Sequence, residues 1–231
     1  MIHRDNSQNP QAASPAKHPG SSHEPKPIKL PKPKLDRGTS VSSALQKRKT
    51  TREISNKKLS LQTISSLLWA ACGVNRTKGP FNIPGRTAAS ASNSQEIDVY
   101  VLMKEGVYYF DPFAHLLAPV LQADLRPIAI NHGQRRLAVK APLNLIYVAD
   151  LDKLVNSAGY HEPGLRDPEV QKSYYFVDTG MIAANVYLFA ASHGLAAWFH
   201  NCNKPALAKR LKLRPDQRVL FGQTVGYPKK K

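Results

Sequence analysis

The sequence lacks the features that cross-link a protein, carry it into a membrane or export it. Its 231 residues include two cysteines, Cys72 and Cys202, which form neither a CxxC motif nor a disulfide framework. No apolar run approaches the ~18 residues of a membrane-spanning helix. Residues 1–7 lack the apolar core of a secretory signal. These absences predict a soluble, cytoplasmic protein with two reduced thiols.

Motifs for metal binding and nucleophilic catalysis are also missing. The eight histidines form no HxxH or HExxH arrangement, which argues against a metal site. Ser192 and Cys202 each lie close to a histidine in the sequence, but no orienting acid is near them and no nucleophile elbow is present. We therefore expect neither a metal centre nor a catalytic nucleophile.

Acidic residues are few, and the formal net charge of +17 raises the question of nucleic-acid binding. Residues 1–44 contain seven Lys or Arg and three acids, so most of the excess charge is spread over the remaining chain. The sequence shows no RNA-binding aromatic box, zinc-finger spacing or long basic helix. Charge alone gives salt-sensitive, non-specific binding, so a nucleic-acid partner is not favoured.

The first 37 residues differ in composition from the rest of the chain. They are rich in Pro, Lys, Ser, Asn and Gln, and such a segment buries too little apolar surface to offset its ordering entropy. We predict a disordered tail over residues 1–37, whose last part, 28–37, forms an arm along the domain surface. The arm would use its apolar residues Ile28, Leu30 and Leu35. Residues 38–231 are predicted to form one folded domain.

The predicted domain alternates helical and strand patterns. Ser40 and Ser60 are N-cap candidates for two helices, and Gly73 would end the second. The predicted helices cover Val41–Arg48, the segment between Ser60 and Gly73, Leu116–Leu121, Asp124–Asn131, Val177–His193 and Asn203–Leu211. The predicted strands cover Ile97–Met103, Val107–Phe110, Leu143–Ala149, Leu195–Phe199 and Val219–Val225. This order indicates an α+β fold with a mostly antiparallel or mixed central sheet flanked by helices.

The helix predicted over Val177–His193 is apolar nearly all round, which is typical of a helix in a core or an interface. Gly180 near its start should cost ~1 kcal/mol relative to alanine. We expect close packing to account for this glycine.

A dense basic cluster, Lys47-Arg48-Lys49-Thr50-Thr51-Arg52, follows the first predicted helix. Its cationic donors suit a phosphate group. Cations are also favoured near a helix C-terminus by the helix dipole, so a solvated helix end is the alternative interpretation.

A second polar segment, residues 86–95, runs directly into the strand that begins at Ile97. It contains no glycine, no acid and no bulky side chain, and offers short hydroxyl and amide groups that both donate and accept hydrogen bonds. Such a loop could approach the edge of a flat polar ring. A plain surface loop is the alternative.

Together these segments resemble the nitroreductase family over residues 28–231. The longest match is residues 59–76, Leu-Ser-Leu-Gln-Thr-Ile-Ser-Ser-Leu-Leu-Trp-Ala-Ala-Cys-Gly-Val-Asn-Arg. Residues 48–54 are similar to the family's phosphate-gripping segment, and residues 89–96 to its flavin loop, with Ala89 and Glu96 in place of two prolines. Residues 194–198 and 226–228 resemble the family's C-terminal segments.

The resemblance implies a nitroreductase-like, dimeric fold with FMN at the subunit interface. It implies an FMN-dependent oxidoreductase that passes a hydride from NAD(P)H through flavin N5 to a nitroaromatic or quinone-like acceptor. The chemistry is then largely the cofactor's, and no side chain is required as a catalytic acid.

The same resemblance implies the site residues. The phosphate clamp would comprise Arg48, Lys49, Thr50, Arg52, Lys229 and Lys230. The ring and its edge would contact Ser90, Ala91, Asn93, Gln134, Asn201 and Cys202, the last two through their backbone. The loop of residues 86–95 would lie against the flavin of the partner subunit.

Two other functions stay open at this point. One is a flavin dehydrogenase that acts on a peptide-derived or other specific metabolite without nicotinamide turnover. Members of that kind use a Lys/Tyr pair, but the better interpretation of Lys172 here is a surface lysine beside core aromatics. The other is a basic binding module without catalysis.

Overall fold

A computed structural model describes residues 26–35, 38–134, 140–159 and 166–229. Of the tail and arm predicted over residues 1–37, residues 1–25 and 36–37 lie outside these ranges. The strands are β1 (Ile28–Lys29), β2 (Val74–Arg76), β3 (Gly85–Arg86), β4 (Ile97–Met103), β5 (Gly106–Asp111), β6 (Leu116–Leu121), β7 (Leu143–Asp150), β8 (Ala196–His200) and β9 (Gln217–Gly226). The helices are α1 (Val41–Lys47), α2 (Leu61–Cys72), α3 (Arg126–Ala129), α4 (Leu151–Val155), α5 (Pro168–Ser192) and α6 (Lys204–Leu211).

Seven strands form the main sheet in the order β1-β6-β5-β4-β7-β9-β8, and β2 pairs with β3 in a small ribbon. Every pairing in the described chain is antiparallel. The structure therefore confirms the predicted α+β fold with a central sheet flanked by helices. None of the described helices is long and apolar enough to cross a membrane.

The sheet is covered on both faces, which explains why its inner strand β7 is mostly apolar. All eight residues of β7 are buried. Successive side chains of a strand point to opposite faces, so Leu145 and Tyr147 pack on the side of α2 and α5, whereas Ile146 and Val148 pack on the side of α3 and α6.

Helix α2 begins and ends where its sequence predicts. Ser60 caps it, because its Oγ accepts a hydrogen bond from the Thr63 N–H at 3.1 Å, and Gly73 follows its last turn. Leu67 and Leu68 are fully buried against the sheet. This helix precedes the polar loop of residues 86–95 and supports it, since the Thr87 hydroxyl donates to the Trp69 carbonyl at 3.0 Å.

The prediction of a helix over Leu116–Leu121 is wrong: the segment is β6, which lies between β1 and β5. A short apolar run does not distinguish helix from strand, and here the pairing with β5 decides. Pro119 is tolerated because β1 is short and pairs only with Leu116 and Leu117.

The prediction for the long helix is wrong at its start, since α5 begins at Pro168, nine residues before Val177. Asp167 caps it and accepts a hydrogen bond from the Glu169 N–H at 2.8 Å. The expectation of close packing around Gly180 is also wrong for the part of the chain described here, in which a Cβ added at Gly180 would meet no atom within 4 Å.

Part of the predicted arm lies along the sheet edge. Ile28 pairs with Leu117 of β6, and Leu30 is buried. Leu35 is instead 64% exposed. The domain boundary at residue 38 stays a prediction.

Candidate functional site

The basic cluster is held between two strands that lie far from it in sequence. The Thr51 N–H donates to the carbonyl of Ala197 in β8 at 3.0 Å. Four residues later, the Ser55 N–H donates to the carbonyl of Tyr227, just beyond β9, at 2.8 Å. The backbone of residues 51–55 is therefore fixed, while the side chains of the cluster extend to solvent.

Lys229 is brought to the same place. Its N–H donates to the Glu53 carbonyl at 3.0 Å. Arg48, Lys49, Arg52 and Lys229 form no ion pair with any acid in the described ranges. Lys230 lies outside the described residues. The structure thus leaves four of the predicted clamp cations without an ionic partner on connected stretches of backbone, and such free cations suit a phosphate.

Two aromatic rings support the arginines. The Arg48 guanidinium carbon lies 5.6 Å from the centre of the Tyr187 ring, and that of Arg52 lies 5.9 Å from the centre of the Trp198 ring. Cation–π contacts of this kind orient a guanidinium without neutralising it. The arginines therefore keep their hydrogen-bond donors for a ligand.

Tyr187 also orients Thr50, which sequence reasoning did not foresee. The Tyr187 Oη accepts from the Phe199 N–H at 2.8 Å and lies 3.1 Å from Thr50 Oγ1. Since a phenol has one proton, Tyr187 can donate it to Thr50 and leave the threonine proton free for a ligand. The available signal was a tyrosine in an apolar helix, which in the sequence cannot be told from an ordinary core aromatic.

The segment after β8 presents its backbone in a fixed position. The Cys202 N–H donates to the Asn201 Oδ1 at 3.0 Å, and the Asn203 N–H donates to the Ile128 carbonyl at 3.3 Å. Burial raises the pKa of the Cys202 thiol to about 11. Cys202 therefore stays a thiol at neutral pH and has no thiolate with which to act as a nucleophile.

The loop of residues 86–95 is braced internally. Ser90 Oγ accepts from the Gln95 N–H at 3.0 Å, and the Gln95 side chain donates to the Pro84 carbonyl at 2.7 Å and to Asn93 Oδ1 at 3.0 Å. Ser92, Asn93 and Gln95 all have positive φ angles, between 50° and 53°, a conformation unusual for residues other than glycine. This bracing stands where the family's loop carries prolines.

A buried pair of acids anchors the loop to α5, and sequence reasoning missed it. Asp178 accepts a hydrogen bond from the Ala91 N–H at 2.9 Å, and the Ser94 hydroxyl donates to Glu96 Oε2 at 2.6 Å. Burial, and then the charge of Asp178, raise the pKa of Glu96 to about 8. Glu96 therefore carries a proton at neutral pH.

This anchor predicts a specific pH dependence of stability. Between pH 4.5 and about 8 the folded chain retains a proton on Glu96 that the unfolded chain has lost. The free energy of unfolding should then fall as pH rises through that window, by up to about 1.4 kcal/mol per pH unit. Glu96→Gln removes the proton and should flatten the profile, as measured by urea unfolding at pH 5, 6.5 and 8.

The matched control is Glu105→Gln. Glu105 lies on the surface in an ion pair with Lys58, which lowers its pKa. This variant should keep the wild-type slope above pH 5. Parallel profiles for wild type and Glu96→Gln would show that Glu96 is already ionised in the folded protein.

The loop and the basic cluster occupy separate parts of one chain. Asp178 holds the loop, and Tyr187 holds the cluster nine residues later on the same helix, about 13 Å along its axis. Gln134 lies exposed in a 3-10 turn, and in the described part of the chain no side-chain hydrogen bond joins it to either group. One chain therefore brings the clamp alongside β8, which residues 201–202 follow directly, but leaves Ser90, Ala91 and Asn93 apart from the clamp.

Comparison with known proteins matches this chain to one family. The model of the nitroreductase family matches residues 45–227. A protein of Methanocaldococcus jannaschii, provisionally named a nitroreductase, is 28% identical over 162 residues, which cover 67% of this chain and 75% of that protein.

Solved structures agree with the sequence match. A provisionally named nitroreductase from Ralstonia eutropha is 31% identical, with a TM-score of 0.75, and the match covers 96% of this chain and 97% of that one. The Escherichia coli microcin synthetase complex, solved with a truncated pro-peptide bound, contains a chain 20% identical to this one. Its TM-score is 0.62, with 77% and 68% of the two chains covered, which shows a shared fold.

Proposed function

The chain belongs to the nitroreductase family, and on this premise we propose that it is an FMN-dependent oxidoreductase that oxidises NAD(P)H and reduces an organic acceptor. The family match supports a general flavin oxidoreductase. What we propose beyond this is that the flavin is FMN, that NAD(P)H is the hydride donor, and that the acceptor is nitroaromatic or quinone-like.

The observation that carries the proposal is the clamp around residues 48–55. A flavin mononucleotide ends in a phosphate, which needs cations and hydroxyl donors that are free of other partners. Arg48, Lys49, Arg52 and Lys229 provide such charges on a backbone fixed to β8 and to residues 227–229. The donor set therefore fits the group that the family implies.

The flavin ring would lie toward the far end of β8. Residues 201–203 offer a fixed backbone there, and a buried Cys202 that stays uncharged. Bound FMN would supply the hydride-accepting position at N5, whereas this chain orients the ring and grips the phosphate. Within the described ranges we assign no side chain as a proton donor to the substrate.

We further propose that the protein is a homodimer in which the second subunit completes each site. Val177, Gly180, Met181 and Ala184 form an exposed, uncharged row along α5, at the i, i+3, i+4 and i+7 spacing of one helix face. No contact among the described residues requires Gly180, but a second helix could pack closely against it. This surface would bring a partner's loop, including its Ser90, Ala91 and Asn93, to the flavin.

The first test is the visible spectrum of the purified protein. We expect flavin absorbance, or its appearance when FMN is added, and steady-state oxidation of NADH or NADPH with a quinone or nitroaromatic acceptor. Bound flavin with no activity toward either nicotinamide would favour a dehydrogenase acting on a specific metabolite. No flavin binding at all would favour a non-catalytic module.

The structure gives no support to the Lys/Tyr pair of such dehydrogenases. Lys172 is half-exposed on the first turns of α5, where its Nζ lies 3.4 Å from the Glu169 carboxylate. This is the surface lysine that its sequence context suggests.

A further inference from the structure

A row of buried polar side chains crosses three strands next to Asn201. Asn144 of β7 is in register with Thr224 of β9, and Thr224 with Trp198 of β8. His200 is two residues beyond Trp198 and so lies on the same face of the sheet. His200 Nε2 lies 2.8 Å from Thr224 Oγ1, which lies 2.6 Å from Asn144 Oδ1.

The sheet leaves room for the His200 ring in one position. A Cβ on Gly222 would lie 2.8 Å from His200 Cε1 and 3.1 Å from the Ala129 carbonyl, so a larger residue there would displace the ring. The Trp198 ring packs beside it, with 4.6 Å between the ring centres. Glycine at this position therefore serves to place the imidazole.

The hydrogen bonds of His200 define where its proton lies. The Nδ1 atom is 3.0 Å from the Asn201 carbonyl oxygen, which can only accept, so Nδ1 carries the proton. Burial lowers the pKa of His200, and the ring is neutral at neutral pH. Nε2 is then an acceptor, and the single hydroxyl proton of Thr224 must be donated to it.

This order of donation has a consequence for Asn144. Once Thr224 donates to His200, its oxygen can only accept from Asn144, so the amide nitrogen must face it. The Asn144 Nδ2 is buried and otherwise has no partner among the described residues. The two ends of an amide have the same shape, so rotating it by 180° gives Nδ2 the threonine oxygen as its acceptor.

We propose that Asn144, Thr224 and His200 form a chain of hydrogen bonds with one direction of donation, which fixes the Asn201–Cys202 peptide beside the flavin. This series of hydrogen bonds ends on the Asn201 carbonyl, while the Asn201 side chain accepts from the Cys202 N–H. Both sides of this turn are thus held. The positioning role rests on the proposed function, since it concerns how residues 201–202 meet the ring.

The order of donation can be tested without any flavin. NMR of the protein labelled with 15N-histidine should show His200 as the neutral Nδ1–H tautomer from pH 7 to 8, assigned by the loss of its signals in His200→Gln. In Thr224→Val, which keeps the shape of the side chain, the Asn201 carbonyl should still hold the Nδ1–H tautomer, whereas the 15N signal of Nε2 should shift because that nitrogen has lost its donor. An Nε2–H tautomer or a charged ring in the wild-type protein would overturn the proposal.

The positioning role is tested in the FMN-loaded enzyme. Thr224→Val should lower kcat about tenfold with an unchanged KM for the nicotinamide, because a displaced peptide misplaces the ring without removing a substrate contact. Thr224→Ser restores the hydroxyl and should recover most of kcat. Thr179→Val, which removes another fully buried threonine hydroxyl bonded to a helix carbonyl, is the matched control.

These experiments distinguish failure of the positioning role from failure of the proposed oxidoreductase function. A kcat for Thr224→Val equal to that of Thr179→Val, together with the Nδ1–H tautomer, would overturn the positioning role while the proposed function stands. A wild-type protein that binds no flavin would overturn the proposed function and the positioning role with it. The order of hydrogen bonds would then still be judged by the tautomer.

Discussion

Replacing Arg48 and Arg52 together with alanine is expected to weaken FMN binding about 100-fold or more. A hydrogen bond to a charged group contributes about 1.5–3 kcal/mol, and two such losses correspond to at least two powers of ten in Kd. Both side chains are exposed, and the backbone bonds that hold residues 51–55 do not depend on them. Quenching of FMN fluorescence in titrations of the apoprotein gives the affinity, and the thermal midpoint checks the fold.

The control for charge is Lys209→Ala combined with Arg210→Ala. These two exposed cations on α6 give the same change in net charge away from the clamp, so FMN affinity should stay within about twofold of wild type. If the Arg48/Arg52 variant bound FMN as tightly as this control, the phosphate would lie elsewhere.

The second large effect is expected from charging the exposed row on α5. Val177 and Met181 are 60% and 47% exposed, one helical turn apart. Lysines at both positions would have to be desolvated and brought against their counterparts in a dimer, which costs several kcal/mol. We expect Val177→Lys with Met181→Lys to sediment as a monomer and to lose bound FMN, because the partner's loop is then missing from the site.

An uncharged double substitution at the same positions distinguishes the effect of charge from the effect of replacing the side chains. Val177→Ala with Met181→Leu keeps the surface uncharged and should sediment as a dimer with flavin bound. A lysine variant that stayed dimeric and retained its flavin would show that this face of α5 is not the subunit interface.

Local signals predicted the parts of the fold that depend on few neighbours. Ser60 and Gly73 mark the two ends of α2, and the mostly apolar segments that form β4 and β7 extend over seven and eight residues. The segment of β6 has no such signal, because five apolar residues around Pro119 fit either structure until β5 lies beside them.

The candidate site also has parts that the sequence predicts and parts that it does not. Residues 48–52 and 86–95 could be found from their side-chain chemistry, since each cluster is contiguous in sequence. The bonds that fix them could not, because Thr51 meets Ala197 and Ala91 meets Asp178 only once the sheet and α5 are assembled. The raised pKa of Glu96 also arises from burial and from Asp178, and nothing in its local sequence indicates either cause.

The joining of residues 51–55 to β8 and to residues 227–229 also determines when the clamp can form during folding. Ser55 and Tyr227 stand at opposite ends of the folded part of the sequence, and nearly the entire sheet separates them along the chain. Closing a loop of that length before the intervening strands have paired has a high entropic cost and no compensating contacts. The clamp should therefore close among the last events of folding, so that the chain acquires its fold first and its affinity for a phosphate afterwards.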